Sequence, residues 1–278
     1  MSSRGPLQAI DWIGVFTHIG AGVRRAVEPL AGTEAGREAH RVGAGGDTTV
    51  EVDRAAESVV FAELGVLAER GEKFSVLSEE AGRRDFGAEF PLILVDPVDG
   101  SLNAKQGVPV FGLMLAVLGG PAVGDTVAGL VMNLATGETW SAVRARGARR
   151  GDQPLAVLPR SIRGRIELLG LESTPRALRV AHPLVERADK IRILGSMALS
   201  IVLTASGALD VFCAPIPVRV FDTAASLLVL REAGGVATAI DGRPVDALIG
   251  DLATRTTLVC ASTRELHAQA LDILADAR

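Results

Sequence analysis

The sequence predicts a layered α+β fold, and three observations lead there. Strands and helices occur in blocks more than in strict alternation. Between Pro109 and Leu155 the chain reads as consecutive strands with no helix between them, the pattern of an antiparallel sheet. Of the 278 residues 48% are hydrophobic, only 4% are aromatic and none is Tyr, so a large core is available and must be mostly aliphatic. The length suits one large domain or two closely packed lobes.

Taken in order, Ile10, Ile13, Val15, Phe16, Ile19, Val23 and Val27 recur at helical spacing and predict a helix within Leu7 to Leu30, with Pro29 near its end. Gly32 to Gly46, rich in Gly, Ala and charge, reads as a mobile loop. A second helix is expected from about Asp53 to Arg70, with Asp53 as its N-cap candidate. Phe74 to Leu77 reads as a short strand, and the acids Glu79 and Glu80 stand just past it, where α/β sites gather. Strands follow at Pro109–Leu118, Val127–Asn133 and Thr139–Val143, with a hairpin over Gly147–Leu155.

The polar, basic stretch Pro159 to Arg165 opens the second half. Strands are expected at Ile166–Leu171, Ile191–Leu194, Asp210–Cys213, Val218–Phe221 and Leu258–Ala261. Gly195-Ser196 can cap a helix from Met197 to Ser206. A periodic helix opens at Asp222 and is stopped by Gly234-Gly235; a hairpin with an Asp241-Gly242 turn follows, and Arg264 to Ala277 is a last helix.

One stretch carries chemistry. The apolar run Leu92 to Val95 ends abruptly in Asp96-Pro97-Val98-Asp99-Gly100-Ser101. Pro97 biases Asp96 toward an extended backbone at the mouth of the strand, Asp99-Gly100 turns the chain, and Ser101 can start a helix. A helix end attracts anions and two acids repel them; a hard divalent cation held by the acids resolves the conflict and lets a phosphate bind. Alone, Asp-Pro-x-Asp-Gly is a structural turn more often than a site.

Composition narrows the classes. The net charge of −4 argues against a general nucleic-acid binder but not against a small phosphorylated ligand. Cys213 and Cys260 read as core residues in a reducing compartment, and the four histidines lack zinc-ligand spacing. With no apolar run of bilayer length and no secretory pattern, a cytoplasmic protein without a membrane partner is expected.

The segment Asp96-Pro97-Val98-Asp99-Gly100-Ser101-Leu102-Asn103 resembles the first signature of the inositol monophosphatase family. Phe221-Asp222-Thr223-Ala224-Ala225 with Glu232-Ala233-Gly234-Gly235 resembles its second. Ser78-Glu79-Glu80 stands where the family has an upstream metal-binding Glu, and Gly195-Ser196-Met197-Ala198-Leu199 resembles a segment near the substrate. The resemblance runs over about the whole chain in order. It implies an α-β-α-β-α sandwich of the sugar-phosphatase type as a single domain, with an N-terminal lobe about 1–155 and a C-terminal lobe about 156–278. It also implies a likeness to archaeal-type enzymes that accept inositol 1-phosphate and fructose-1,6-bisphosphate, and a homodimer.

By that resemblance the protein is a Mg²⁺-dependent phosphomonoesterase with two or three Mg²⁺ per site, Mn²⁺ as a substitute and Li⁺ as an inhibitor. Glu79, Asp96 and the Val98 carbonyl would hold one ion; Asp96, Asp99 and Asp222 would hold another. Gly100 and Ser101 would bind the phosphate, Gly195 and Ser196 would lie by the substrate, and Asp53 with Ser101 would orient the attacking water. The substrate expected is a small phosphorylated polyol or sugar. A bisphosphate-nucleotide phosphatase (3′-phosphoadenosine 5′-phosphate) and a non-catalytic phosphoester-binding regulator are the alternatives. The sequence departs from the family pattern at Phe221, Leu102 and Pro215, the last standing where inositol-selective relatives carry a Glu. Arg192 and Arg219 are candidates for a second phosphate or a sugar hydroxyl, or for ordinary ion pairs.

Overall fold

The computed structural model describes residues 10–156, 165–172 and 174–276. The expected helix start at Leu7–Ala9, most of the basic stretch 159–165 and the last expected helical residue, Ala277, lie outside them. The chain runs α1 (Trp12–Val27), β1 (Ala39–Val42), β2 (Thr48–Val50), α2 (Glu51–Glu69), β3 (Phe74–Ser78), β4 (Gly82–Asp99) and α3 (Ser101–Gln106). Then come β5 (Gly112–Leu118), β6 (Thr126–Asn133), β7 (Thr139–Val143), β8 (Ala148–Arg150), β9 (Gln153–Leu155) and β10 (Leu168–Leu171). The rest is α4 (Pro175–Val180), α5 (His182–Arg187), β11 (Lys190–Ile193), α6 (Met197–Ala205), β12 (Val211–Arg219), α7 (Ala224–Glu232), β13 (Val236–Thr238), β14 (Arg255–Ala261) and α8 (Arg264–Ala275).

Two sheets organise these elements. A seven-stranded sheet has the order β3-β4-β5-β6-β7-β8-β9, and a five-stranded sheet the order β11-β10-β12-β14-β13. The alternation of side chains along each strand sets the layers. On β5, Leu113, Leu115 and Val117 face α1 and α2, together with Ile93 and Val95 of β4. Met114, Ala116 and Leu118 face the other way, onto α6 and α7. Both faces are covered, so β5 is apolar at every position. In the second sheet Phe212, Ala214 and Cys260 face the same α6–α7 layer, while Val211, Cys213, Val259 and Ala261 face α5 and α8. The result is five layers, α-β-α-β-α, with α6 and α7 shared by both sheets. Cys213 and Cys260 point to opposite faces and are free.

Local chemistry accounts for most boundaries. Asp11 caps α1 by accepting from the Gly14 N–H at 3.1 Å. Ser196 and Thr263 cap α6 and α8 in the same way. The indole N–H of buried Trp140 donates to Ser206 Oγ at 2.9 Å, which pins the end of α6 to β7. β4 bends at Gly87, so its first part runs antiparallel to one edge of β3 and Leu92–Val95 runs parallel to the other.

Four expectations need correction. Residues 32–46 are not one loop: β1 and β2 form an antiparallel hairpin around the turn Gly43–Asp47. β2 carries the chain straight into α2 at Glu51, so Asp53 is the third helical residue rather than the N-cap, and its Oδ2 accepts from the Val50 N–H at 3.1 Å. The helix expected to open at Asp222 begins at Ala224; Asp222 lies in a 3₁₀ turn, Phe221–Thr223, before it. The Asp241-Gly242 turn exists, but β13 pairs with β14 only after residues 239–254 have crossed to Ala122 and Val123 beside the first sheet.

Gly129 of β6 sets how closely α7 approaches the first sheet, because a Cβ there would lie 2.8 Å from both Cα and Cβ of Ala225. Gly129→Val is therefore expected to destabilise the protein by about 2 kcal/mol or more through overpacking. Urea unfolding measures this; an unchanged midpoint would show that the α7 contact is slack.

Candidate active site

Three segments deliver three carboxylates to one point. β3 and β4 run parallel with Ser78 beside Val95, and the Glu79 N–H continues the ladder to the Val95 carbonyl at 3.1 Å. Glu79 and Asp96 thus leave neighbouring strand ends on the same side of the sheet. Asp222 arrives from the turn between β12 and α7. One carboxylate oxygen from each of Glu79, Asp96 and Asp222 lies within 4.8 Å of the others. Asp96 and Asp222 are buried, and only 12% of the Glu79 side chain is exposed. They line a cavity of about 110 Å³ with Asp47, Thr48, Asp53, Glu80, Pro97, Val98, Asp99, Gly100, Ser101 and Arg219.

The charges in this cavity do not balance. Burial, then the neighbouring Asp222, pushes the Glu79 carboxyl up to about 8 against the pull of Arg219. Burial with Glu79 and Asp222 beside it holds Asp96 well above the ordinary carboxylate range. Burial raises Asp222 to about 6 although Arg219 opposes the rise. Arg219 is the sole Lys or Arg among the lining residues; it pairs with Glu79, and its Nε lies 2.9 Å from Asp222 Oδ2. Burial works against its charge, but Asp222 and Glu79 outweigh that and hold it above its ordinary pKa. Asp222 Oδ1 is buried with no hydrogen-bond partner among the described residues. An orphaned carboxylate oxygen among oxygen-only donors fits a hard divalent cation.

Asp99 faces a helix end as well as the cavity. Its carboxylate accepts from Ser196 Oγ, from the Met197 N–H at 3.1 Å and from the Ala198 N–H at 2.8 Å, so it closes the N-terminus of α6. It lines the cavity but stands outside the three-carboxylate cluster. Gly100 follows with φ +86°, and a Cβ there would lie 2.9 Å from the Gly195 carbonyl; only glycine permits both. Asn103 locks the same contact, its amide donating to the carbonyls of Val110 (2.6 Å) and Leu194 (2.7 Å). Ser101 begins α3 at the cavity wall. The first-signature loop and Gly195-Ser196 are thereby one unit.

Asp53 faces the same cavity, its carboxyl raised by burial to about 7 despite the Val50 N–H. Behind it lies a buried polar layer of which the sequence reading singled out Glu80 but not Glu57. Glu57 accepts from Ser78 Oγ (2.5 Å) and the Ala81 N–H (2.8 Å), and Glu80 accepts from Thr49 Oγ1. The Gly43–Asp47 turn sits on this layer, with the Ala44 and Gly45 N–H groups donating to the carbonyls of Glu80 and Glu79 at 3.1 and 2.7 Å.

Two arginine expectations separate here. Arg219 is in the cavity, ion-paired with its acids. Arg192 is on exposed edge strand β11, where its guanidinium bonds the Ile191 carbonyl, and it lines no part of the cavity. Pro215 is buried in β12 beside an irregularity between Ala214 and Val218 and does not line the cavity either. A second cavity of about 110 Å³ adjoins at Asp99 and is lined by Leu171, Glu172, Gly195, Ser196, Met197, Ser200 and Phe212. Glu172 follows β10 as Glu79 follows β3, a strand-end signal the sequence reading did not apply there, and Ser200 is a mid-helix residue with no local signal of facing a pocket.

Two outcomes follow from this arrangement. Asp99→Asn removes a charged acceptor from three donors and is expected to cost about 1–3 kcal/mol of stability, read by denaturant unfolding; an unchanged stability would mean the α6 cap is dispensable. For Glu79, Asp53, Asp222 and Asp96 the folded pKa lies above the ordinary value of about 4, so the folded state binds more protons than the unfolded one. Stability contributed by these groups is then present at low pH and lost as pH rises from about 4 through the range 6–8. Chelator-treated protein should melt lower at the top of that window than at its middle, and a divalent cation should flatten the slope; a melting temperature that rises across it would contradict the assignment.

Comparison with known proteins agrees with the geometry. A family model described as the inositol monophosphatase family matches residues 14–277. A fructose-1,6-bisphosphatase/inositol-1-monophosphatase of Methanothermobacter thermautotrophicus is 34% identical over 274 residues, 95% of this chain and 96% of the relative. A bifunctional NADP phosphatase/NAD kinase of Methanococcus maripaludis is 28% identical, matching 95% of this chain and 49% of the relative's own length. Among solved structures, extragenic suppressor protein suhB from Bartonella henselae superposes with a TM-score of 0.79 at 25% identity, covering 97% of this chain and all of the other (100%). The chain belongs to the inositol monophosphatase family, whose members are metal-dependent phosphatases.

Proposed function

We propose that this protein hydrolyses inositol 1-phosphate and fructose-1,6-bisphosphate in a Mg²⁺-dependent reaction. The observation that carries the reading is the trio Glu79, Asp96 and Asp222, with Asp222 Oδ1 unpartnered, in one cavity with Gly100 and Ser101. Those three carboxylates would hold the metal. Bound Mg²⁺ supplies Lewis acidity and positive charge for phosphate oxygens.

The remaining work falls to the chain itself. Gly100 and Ser101 bring backbone N–H groups and a hydroxyl to the cavity wall, where a phosphate would be oriented. Asp53, poised near 7, can take up a proton from water at working pH, and Ser101 Oγ can direct that water. Asp99 acts indirectly in this reading, by fixing α6 against the phosphate loop.

Substrate class follows from the adjoining cavity. Glu172 and Ser200 offer polar atoms to a hydroxylated ring, and Met197 and Phe212 offer apolar surface. Neither cavity has a Lys or Arg among its lining residues apart from Arg219, which is engaged with Glu79 and Asp222. Such a pocket suits a polyol. The relative of similar length, named for both sugar and inositol substrates, supports dual use.

Phosphate release tests this over a panel of inositol 1-phosphate, fructose-1,6-bisphosphate and NADP. Chelator is expected to abolish turnover, and Glu79→Gln or Asp96→Asn to lower kcat/KM by about a hundredfold or more, roughly 2.7 kcal/mol. The first two substrates should lie within about a thousandfold of each other. Full turnover in chelator, or a strong preference for NADP, would refute the reading.

A further inference from the structure

We infer that Arg219 is the site's own counter-cation: it holds the carboxylates together when metal is absent and competes with an arriving metal for them. The inference rests on the metal reading above. The guanidinium reaches four groups at once. It pairs with Glu79, lies 2.9 Å from Asp222 through Nε, and through Nη1 lies 3.5 Å from Asp47 Oδ2 and 3.4 Å from the Gly45 carbonyl. Two of the three clustered carboxylates are therefore already partnered by a cation built into the chain.

The position is specified by the fold. Ala214 and Val218 bracket a break in the register of β12, after which the strand resumes with Arg219 opposite Arg255. Arg219 then stands three residues before Asp222, so arginine and acid come from one short segment. The room is tight: a Cβ at Gly45 would lie 2.5 Å from Arg219 Nη1. The side chain is only 16% exposed.

One guanidinium cannot neutralise three carboxylates once all are ionised, and Asp222 Oδ1 has no hydrogen-bond partner among the described residues. The pairing satisfies two of the three carboxylates only in part. A divalent ion drawn to the same oxygens meets the repulsion of the arginine whether or not that side chain moves. Arg219 thus weakens metal binding and stabilises the metal-free state. The same arginine also tethers the Gly43–Asp47 turn.

Calorimetric titration of Mg²⁺ into the full-length, chelator-stripped protein tests this in wild type, Arg219→Gln and Arg219→Lys. Arg219→Gln is expected to bind Mg²⁺ at least about tenfold more tightly. Its metal-free form should melt below wild type, with the gap closing at saturating Mg²⁺. Arg219→Lys, which keeps the charge, should stay within about threefold of wild type. If Arg219→Gln does not fold without metal, it is refolded with Mg²⁺ and its Kd is read from the dependence of melting temperature on Mg²⁺ concentration. Equal or weaker binding by Arg219→Gln overturns the inference, as does an Arg219→Lys that tightens as much as Arg219→Gln. A wild type that binds no Mg²⁺ overturns the metal reading itself, and this inference with it.

Discussion

Three carboxylates cannot all stay ionised in one buried pocket unless something positive joins them. Like charges a few ångströms apart in a low dielectric each raise the cost of ionising the next. Glu79, Asp96 and Asp222 meet under that constraint, and much of the fold is arranged to enforce the meeting. Parallel pairing of β3 with the second part of β4 puts two of them at adjacent strand ends. The third needs α7 in place against β6, since Asp222 sits in the turn that precedes the helix. No single segment could assemble the cluster: β3 and β4 share the core under α1 and α2, while the turn that carries Asp222 is anchored with α7 in the other.

The shared middle layer is the second part of the design. Helices α6 and α7 bury residues against both sheets, so neither can shift without disturbing two interfaces. Both helices also begin at the site. α7 follows Asp222, and α6 starts from Ser196 under the carboxylate of Asp99. Rigidity generated by aliphatic packing is thereby passed to polar groups at the cavity edge, which is what positioned chemistry requires.

What could be read from the sequence divides along physical lines. Apolar runs, glycine stops and the Asp96–Ser101 turn are local signals, and they placed the main strands, the helices α6 and α8 and two of the clustered acids. Short elements with few buried residues escaped: α4 and α5 have six residues each, and β1 is exposed along its length. Partnerships across the chain escaped as well. That Asp99 holds α6, that Arg219 lies among acids and that Arg192 lies outside the cavity depend on tertiary placement, for which one sequence carries no periodic trace. Asp53 shows the intermediate case, where the right residue was singled out but β2 moved the helix start two residues ahead of it.

The contact between Gly100 and Gly195 bears on how such a protein can change over time. The loop at Gly100 and the segment that opens the adjoining cavity meet backbone to backbone, and Asn103 and Asp99 stitch them together. Variation at positions 99, 100, 103, 195 and 196 is consequently epistatic: a substitution at one is judged by what stands at the others. A change at the second cavity is reached more easily through a side chain such as Glu172, which faces it from the end of β10 without belonging to that seam.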